Sequence, residues 1–200
     1  MYKRFGKRLL DIAVGVCSLP FVAVAFAICA PLIKLSDGGP VFYNAPRRGY
    51  KGKVFTMYKF RSMKVGSPVL KNADGSTLSS GDDPRLTKFG HILRKTSLDE
   101  FPQFINVLKG DMSIVGPRPN MPGGNYDQFD DVRKKRLEVR PGITGYNQAY
   151  FRNSVDMDTK FMNDCYYVDH CSLLFDLKIL GRTFASVLSS KNVDYSDMAK

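Results

Sequence analysis

Histidine and cysteine are scarce in this 200-residue chain, with only two of the first and four of the second. His91 and His170 stand alone, which argues against a histidine metal site or a His-based triad. Cys17 and Cys29 lie in an apolar run, and Cys165 and Cys171 have no zinc-like spacing to a histidine. They read as reduced, structural thiols, which suits a cytoplasmic domain. Internal repeats and a second domain are also missing, and the length suits one domain with a real core. Acid is the minority charge, with 19 Asp and Glu against 30 Lys and Arg and a formal net charge of +11. Such an excess attracts phosphate-rich partners: nucleic acid, anionic lipid headgroups or phosphorylated small molecules. No nucleic-acid fold signature or basic aromatic platform accompanies the charge, so nucleic acid is not an expected partner.

The largest absence is of charge itself, across residues 12–33. As a helix, that run is long enough to cover the ~30 Å hydrocarbon core of a bilayer. Lys3, Arg4, Lys7 and Arg8 resemble the n-region of a signal peptide, but the run is too long and ends in Pro31, Ile33 and Lys34 without a clear cleavage site. The other flank carries Lys34, Arg47, Arg48, Lys51 and Lys53. Both flanks therefore favour the cytoplasm, which a re-entrant hairpin satisfies. Pro20 supplies the break, since a mid-helix proline removes a backbone bond and costs ~3 kcal/mol. The Val16 carbonyl it frees needs a partner in lipid, and the Ser18 hydroxyl is a candidate. A spanning helix kinked at Pro20 is the alternative. The expected layout is a re-entrant anchor over residues 1–35 and a catalytic unit over 36–200.

Beyond the anchor, Asp37-Gly38-Gly39-Pro40 makes a turn and Val41-Phe42-Tyr43 opens a strand. Residues 54–63 alternate in strand fashion, placing Phe55, Met57, Lys59 and Arg61 on one face. Residues 66–85 are polar and rich in breakers, so a long loop is expected there. The spacing predicts a helix over 97–109, with Ser97 as N-cap, Glu100 closing a capping box and Gly110 ending it. Residues 173–188 form an amphipathic stretch anchored by Phe175, Ile179, Leu180, Phe184 and Val187. It can lie on a bilayer or, more commonly, pack on a core.

Ser97-Leu98-Asp99-Glu100-Phe101-Pro102 is the central candidate for chemistry. Acidic residues in a first turn can simply complement the helix dipole. A carboxylate can also act as a nucleophile toward phosphorus, forming an acyl phosphate. Attack on an anionic diphosphate then demands neutralisation by a metal and by cationic side chains. Lys59 and Arg61 leave one strand on the same side, and Arg118 is stiffened between Pro117 and Pro119 for a two-pronged grip on phosphate. Arg140-Pro141-Gly142 and Arg152-Asn153 add further cations.

Met57-Tyr58-Lys59-Phe60-Arg61-Ser62-Met63, Asp83-Pro84-Arg85-Leu86-Thr87-Lys88-Phe89-Gly90 and the stretches 96–103, 106–119 and 140–145 together carry a resemblance. In order and spacing, from Tyr2 to about Leu180, the chain resembles the monotopic phosphoglycosyl transferases, the bacterial sugar transferase family, in their small minimal form. The resemblance implies a re-entrant membrane helix, a mixed α/β catalytic domain with amphipathic helices at the interface, and a cytoplasmic face of a bacterial inner membrane. It implies transfer of a sugar 1-phosphate from a UDP-sugar to polyprenyl phosphate, with release of UMP and a dependence on Mg²⁺. Asp99 would carry the phosphosugar and meet the Mg²⁺, and Glu100 would be its partner. Lys59, Arg61, Arg118 and Arg152 would face the phosphates and nucleotide. Asp164 and Asp176 match recurrent acidic positions of the family. Two departures stand out: Leu19, where the family usually has serine, precedes Pro20, and Asn120-Met121-Pro122-Gly123-Gly124 replaces a more apolar stretch. A membrane-tethered adaptor without activity is the other reading, against which the intact Asp99, Glu100, Lys59 and Arg118 argue.

Overall fold

The computed structural model describes residues 2–68, 70, 83–151 and 154–188. After a π-helical turn at Tyr2–Gly6, the uncharged run folds into one helix, α1 (Lys7–Asp37). No non-helical residue interrupts it, although Pro20 and Pro31 both lie inside. The expected helix-break-helix hairpin is not shown: the helix is continuous from Lys7 to Asp37. The Ser18 hydroxyl donates to the Gly15 carbonyl at 2.7 Å rather than to that of Val16.

Packing explains why the helix runs through the proline. Lys7, Asp11, Gly15, Val22, Ala25, Cys29 and Ile33 are buried, one seam at helical spacing on both sides of Pro20. Gly15 leaves room for Leu108, where any Cβ would collide with that side chain. Farther along, Ala25, Cys29 and Ile33 join Phe60 and Leu93 in a buried cluster. Each buried apolar side chain stabilises by roughly 1.5–3 kcal/mol, enough together to outweigh the ~3 kcal/mol proline penalty. The opposite face leaves Leu9, Ile12, Val16, Phe21, Val24 and Ile28 exposed. Among the described residues, α1 is the one helix long and apolar enough to enter a membrane.

Two small sheets make the rest a mixed α/β fold. Strands β1 (Phe42–Arg48) and β2 (Val54–Phe60) form an antiparallel hairpin with Phe42 opposite Phe60. Helices α2 (Lys88–Lys95) and α3 (Gln103–Lys109) follow. Strand β3 (Ser113–Val115) pairs in parallel with β4 (Gly142–Thr144), across an excursion that contains α4 (Asp131–Arg136). Helices α5 (Tyr146–Tyr150), α6 (Met157–His170) and α7 (Leu173–Leu188) complete the chain. The main core gathers Phe55 and Met57 of β2, Val107, Met112, Ile114, Val115, and Tyr167, Val168 and Ile179 of the last two helices.

Helix α7 packs one face on the core and leaves apolar side chains exposed on the other. Ile179 is fully buried and Phe175 and Leu180 pack on the core, whereas Leu173, Leu174, Leu177 and Phe184 are exposed. Phe184 is thus not a core anchor, and the Val187 side chain lies outside the described residues. Most of the expected loop over 66–85 also lies outside them. Its near edge is marked by a Met63–Leu86 bridge and by the Arg85 guanidinium donating to both oxygens of Asp83.

Candidate active site

Ser97 adopts a left-handed conformation, φ 56°, and its side chain caps nothing. The next residues, Leu98–Glu100, form a 3₁₀ turn, and α3 begins only at Gln103 behind Pro102. The expected capping box does not form. Glu100 instead accepts a hydrogen bond from Lys59 Nζ at 2.6 Å, a charge-assisted contact stronger than one to a backbone N–H. Gly110 does end α3, at φ 87°. Ser97, a non-glycine residue at positive φ, is a strained position directly before the turn that carries Asp99 and Glu100.

The same ammonium lies 3.7 Å from Asp99 Oδ2, and the Arg118 guanidinium stands 3.6 Å from Glu100 Oε1. Exposure divides their roles: the Asp99 side chain is 8% exposed and that of Arg118 60%. Arg118 is open to a ligand, while Asp99 sits below it. Among the described residues no hydrogen bond ties down the Asp99 carboxylate.

The two carboxyls are driven apart electrostatically. Burial pushes the Asp99 carboxyl above the ordinary range, and the Glu100 charge adds to this, against opposition from Lys59, Arg94 and Arg118. Burial alone would raise Glu100 too, but Lys59 and Arg118 outweigh it and hold that carboxyl at about 2. Glu100 is therefore a fixed anion neutralised by Lys59, and Asp99 is the less stabilised, more basic carboxylate of the two. Arg94, in the last turn of α2, acts on both carboxylates. In sequence it looks like an ordinary basic residue near a helix C-terminus, so nothing marked it.

Arg118 follows Gly116, where the backbones of β3 and β4 approach too closely for any side chain. A Cβ at Gly116 would strike the Arg140 carbonyl oxygen, and one at Gly142 the Gly116 nitrogen. The Arg118 carbonyl accepts from Arg136 Nη2 at 2.9 Å. Arg136 is in turn held by Asp164 Oδ2, at 2.9 Å from Nε and 2.7 Å from Nη2. Asn147 Nδ2 donates to the other Asp164 oxygen at 2.8 Å. Asp164 thus supports the loop that carries Arg118, through Arg136, which sequence reasoning did not single out. A lone arginine on a short helix carries no signal of a partner 28 residues away.

Two other expected residues serve elsewhere. Arg61 donates to both oxygens of Asp37 at the end of α1, at 2.6 and 2.5 Å, and to the Pro40 carbonyl, so it is not brought to the site. Strand β2 stops at Phe60, and the alternation that paired Arg61 with Lys59 stops with it. Asp176 is fully buried and accepts from Lys7 at 2.7 Å, Tyr2 at 2.5 Å and Tyr167 at 2.7 Å. It fastens the start of α1 to α7, away from the carboxylate pair. Arg140 binds the Gly110 carbonyl at 2.7 Å, closing the end of α3. Arg152 lies outside the described residues.

Among the described residues no three His, Cys, Asp or Glu cluster as a ready-made metal site. Asp99, whose carboxylate accepts no hydrogen bond among the described residues, is the one that would suit Mg²⁺. That ion is commonly bound by one or two carboxylates together with substrate phosphates.

Comparison with known proteins shows what the chain is similar to. The family described as "Bacterial sugar transferase" matches residues 2–190. A sugar transferase of Bacillus subtilis, EpsL, is 40% identical over 191 residues, covering 96% of this chain and 91% of that protein. The undecaprenyl-phosphate galactose phosphotransferase of Salmonella typhimurium is 41% identical over 92% of this chain and 41% of its own length. The UDP-glucose:undecaprenyl-phosphate glucose-1-phosphate transferase of Escherichia coli is 41% identical over 90% and 39% respectively. The chain thus spans most of the first relative and about two fifths of the other two.

Proposed function

Because this chain belongs to the bacterial sugar transferase family, we propose that it moves a sugar 1-phosphate from a UDP-sugar to polyprenyl phosphate, undecaprenyl phosphate in particular. The observation that carries this reading is the pair of adjacent carboxylates with Lys59 Nζ 3.7 Å from Asp99 and 2.6 Å from Glu100, and the Arg118 guanidinium 3.6 Å from Glu100.

In the first step an Asp99 oxygen attacks the sugar-bearing phosphorus. The bond from that phosphorus to the bridging oxygen breaks, and UMP leaves with the electron pair. In the second step a phosphate oxygen of the polyprenyl phosphate attacks the same phosphorus, forms the diphosphate and returns Asp99 as a carboxylate. Lys59 and Arg118 offset the charge that builds on the non-bridging oxygens, and burial of Asp99 keeps its carboxylate poorly solvated and reactive. Asp99 together with the substrate phosphates would hold Mg²⁺, which would supply Lewis-acid polarisation of the phosphoryl oxygens.

The reading places the catalytic unit on the cytoplasmic face of a bacterial inner membrane, with α1 entering the bilayer and not crossing it. Two features support this. Lys7–Asp176 and Asp37–Arg61 tie the two ends of α1 to the same body, and both flanks are basic. A panel of UDP-sugars offered with undecaprenyl phosphate tests the reaction, with UMP release as the readout and one productive sugar expected. Acid-quenched protein incubated with that donor alone should show a sugar-phosphate mass increment. No UMP from any donor, or full turnover by Asp99→Asn, would overturn the proposal.

A further inference from the structure

Two consecutive arginines end β1 and are used differently. The Arg48 guanidinium donates to the carbonyls of Gly52 and Gly124, at 3.0 and 2.8 Å, and packs over the Phe129 ring. The half-buried Arg47 donates only to the carbonyl of its own neighbour Pro46, at 2.9 Å, and among the described residues no carboxylate pairs with it. In an antiparallel pair, residues directly opposite share a face, and every second residue returns to it. Tyr43 is opposite Lys59 and Arg47 opposite Phe55, so Arg47 and Lys59 lie on one face of the hairpin. The Arg48 N–H donates to the Asn120 carbonyl at 2.9 Å, which ties this end of β1 to the loop that carries Arg118. The two guanidinium charges act on each other there. Burial lowers the Arg47 pKa from its ordinary value, Tyr43 opposes this, and Arg118 adds to the lowering.

We propose that Arg47 joins Arg118 in one phosphate site, which holds the nucleotide phosphate as UMP leaves and the acceptor phosphate as it enters. The inference rests on the reaction proposed above and adds a binding residue to it. Like charges held near each other repel, and an anion between them turns that repulsion into attraction. Lys59 and Arg118 both stand at Glu100, 2.6 and 3.6 Å away, whereas Arg47 pairs with neither carboxylate. Arg47 is thus the cation left for a ligand beside Arg118, which is itself exposed. In phosphoryl transfer the attacking and leaving oxygens lie roughly in line, on opposite sides of phosphorus. Asp99 therefore expels UMP away from itself, and the acceptor phosphate must displace Asp99 from the side that UMP vacated. Both phosphates need cations on that side that are not already paired with a carboxylate. A guanidinium fork suits each of them, because it can donate to two phosphate oxygens at once.

The test uses the full chain in nanodiscs and reads binding apart from turnover. Arg47→Met keeps an apolar stem on the strand and removes the charge. It should weaken UMP binding by about 10-fold, equivalent to ~1.4 kcal/mol. Uridine binding, read by ligand-observed NMR, should stay unchanged, and Tm should stay near that of the parent. The KM values for the UDP-sugar and for undecaprenyl phosphate should each rise by about 10-fold. Arg47→Lys should recover part of each loss, because it restores the charge without the fork. Unchanged UMP binding in Arg47→Met would overturn the assignment. Uridine binding lost in step with UMP would overturn it too, since the residue would then be shaping the surface rather than meeting a phosphate. A rise confined to the KM for undecaprenyl phosphate would remove the departing phosphate from the site and overturn it as well. If UMP binds through Arg47 but no donor releases UMP, the reaction falls while the phosphate site stands.

Discussion

Burial makes the site of Asp99 unfavourable for a charge, and in the proposed reaction this sets activity against stability. Its carboxyl is raised above the ordinary value of 3.8, chiefly by burial. The folded state therefore binds more protons than the unfolded one as pH climbs from that value to the raised one. Stability falls across this window, and the full deficit is present above the raised value. Asp99→Asn should abolish turnover, by at least ~10³-fold, and yet melt above the parent protein. A lower Tm would contradict the electrostatic account. Because attack needs the carboxylate, the acid limb of kcat/KM should lie above the usual aspartate range. Lys59→Met should move it higher still, since Lys59 is the largest influence lowering Asp99. A limb unmoved in a pH profile of that variant would remove Asp99 from the role. Arg118→Lys should lose at least ~10-fold in kcat/KM, because an ammonium cannot reproduce a planar two-pronged grip on phosphate. Lys59, Asp99, Glu100 and Arg118 could be named as candidates from the chain because their types and neighbours are chemically distinctive, and the fold brings the four together. Arg61 was misplaced because period-two alternation holds only while the strand lasts.

At the scale of elements, the site depends on two loops whose shapes come from distant supports. The loop bearing Arg118 is held by the Asp164–Arg136 pair, both side chains 6% exposed. Burial raises the Asp164 carboxyl against the opposing pull of Arg136, so the pair costs desolvation to maintain. Asp164→Ala should destabilise by about 3–5 kcal/mol, the penalty of leaving a buried arginine unpaired. The double variant Asp164→Ala/Arg136→Met should recover much of the Tm but not kcat, because the Arg118 carbonyl would still lack its donor. Recovery of both would reduce the pair to a structural role. The helix over 97–109 was read correctly at its C-terminal end, where Gly110 acts through its own backbone. Its N-terminal end was misread, because a partner 41 residues away outcompeted the local cap for Glu100.

For the whole molecule, the question is how α1 and the catalytic body share a membrane. If both ends of α1 stay on the cytoplasmic side, single-cysteine variants near Tyr2 and in the catalytic unit should resist an impermeant thiol reagent until the membrane is opened. Labelling of either in intact cells would mean a spanning helix. Pro20→Leu should preserve this pattern, because the helix already runs through Pro20 and its ends are fixed by Lys7–Asp176 and Asp37–Arg61. A variant exposing its N-terminus would restore the proline to the role of topological determinant.

The mixed α/β class, the uncharged run with its basic flanks, the two early strands and the Asp-Glu pair among cations could all be read from the chain alone. Each is a local pattern, settled by a few consecutive residues and the period they follow. Tertiary structure decided which cations meet the carboxylates, whether Pro20 breaks its helix, and that Asp164 and Asp176 act as buried counter-ions to Arg136 and Lys7. These outcomes depend on contacts between residues far apart in the chain, 41 for Lys59 and Glu100 and 169 for Lys7 and Asp176. At such separations the energy of a contact comes from burial and charge pairing in the assembled core, and no local pattern encodes it.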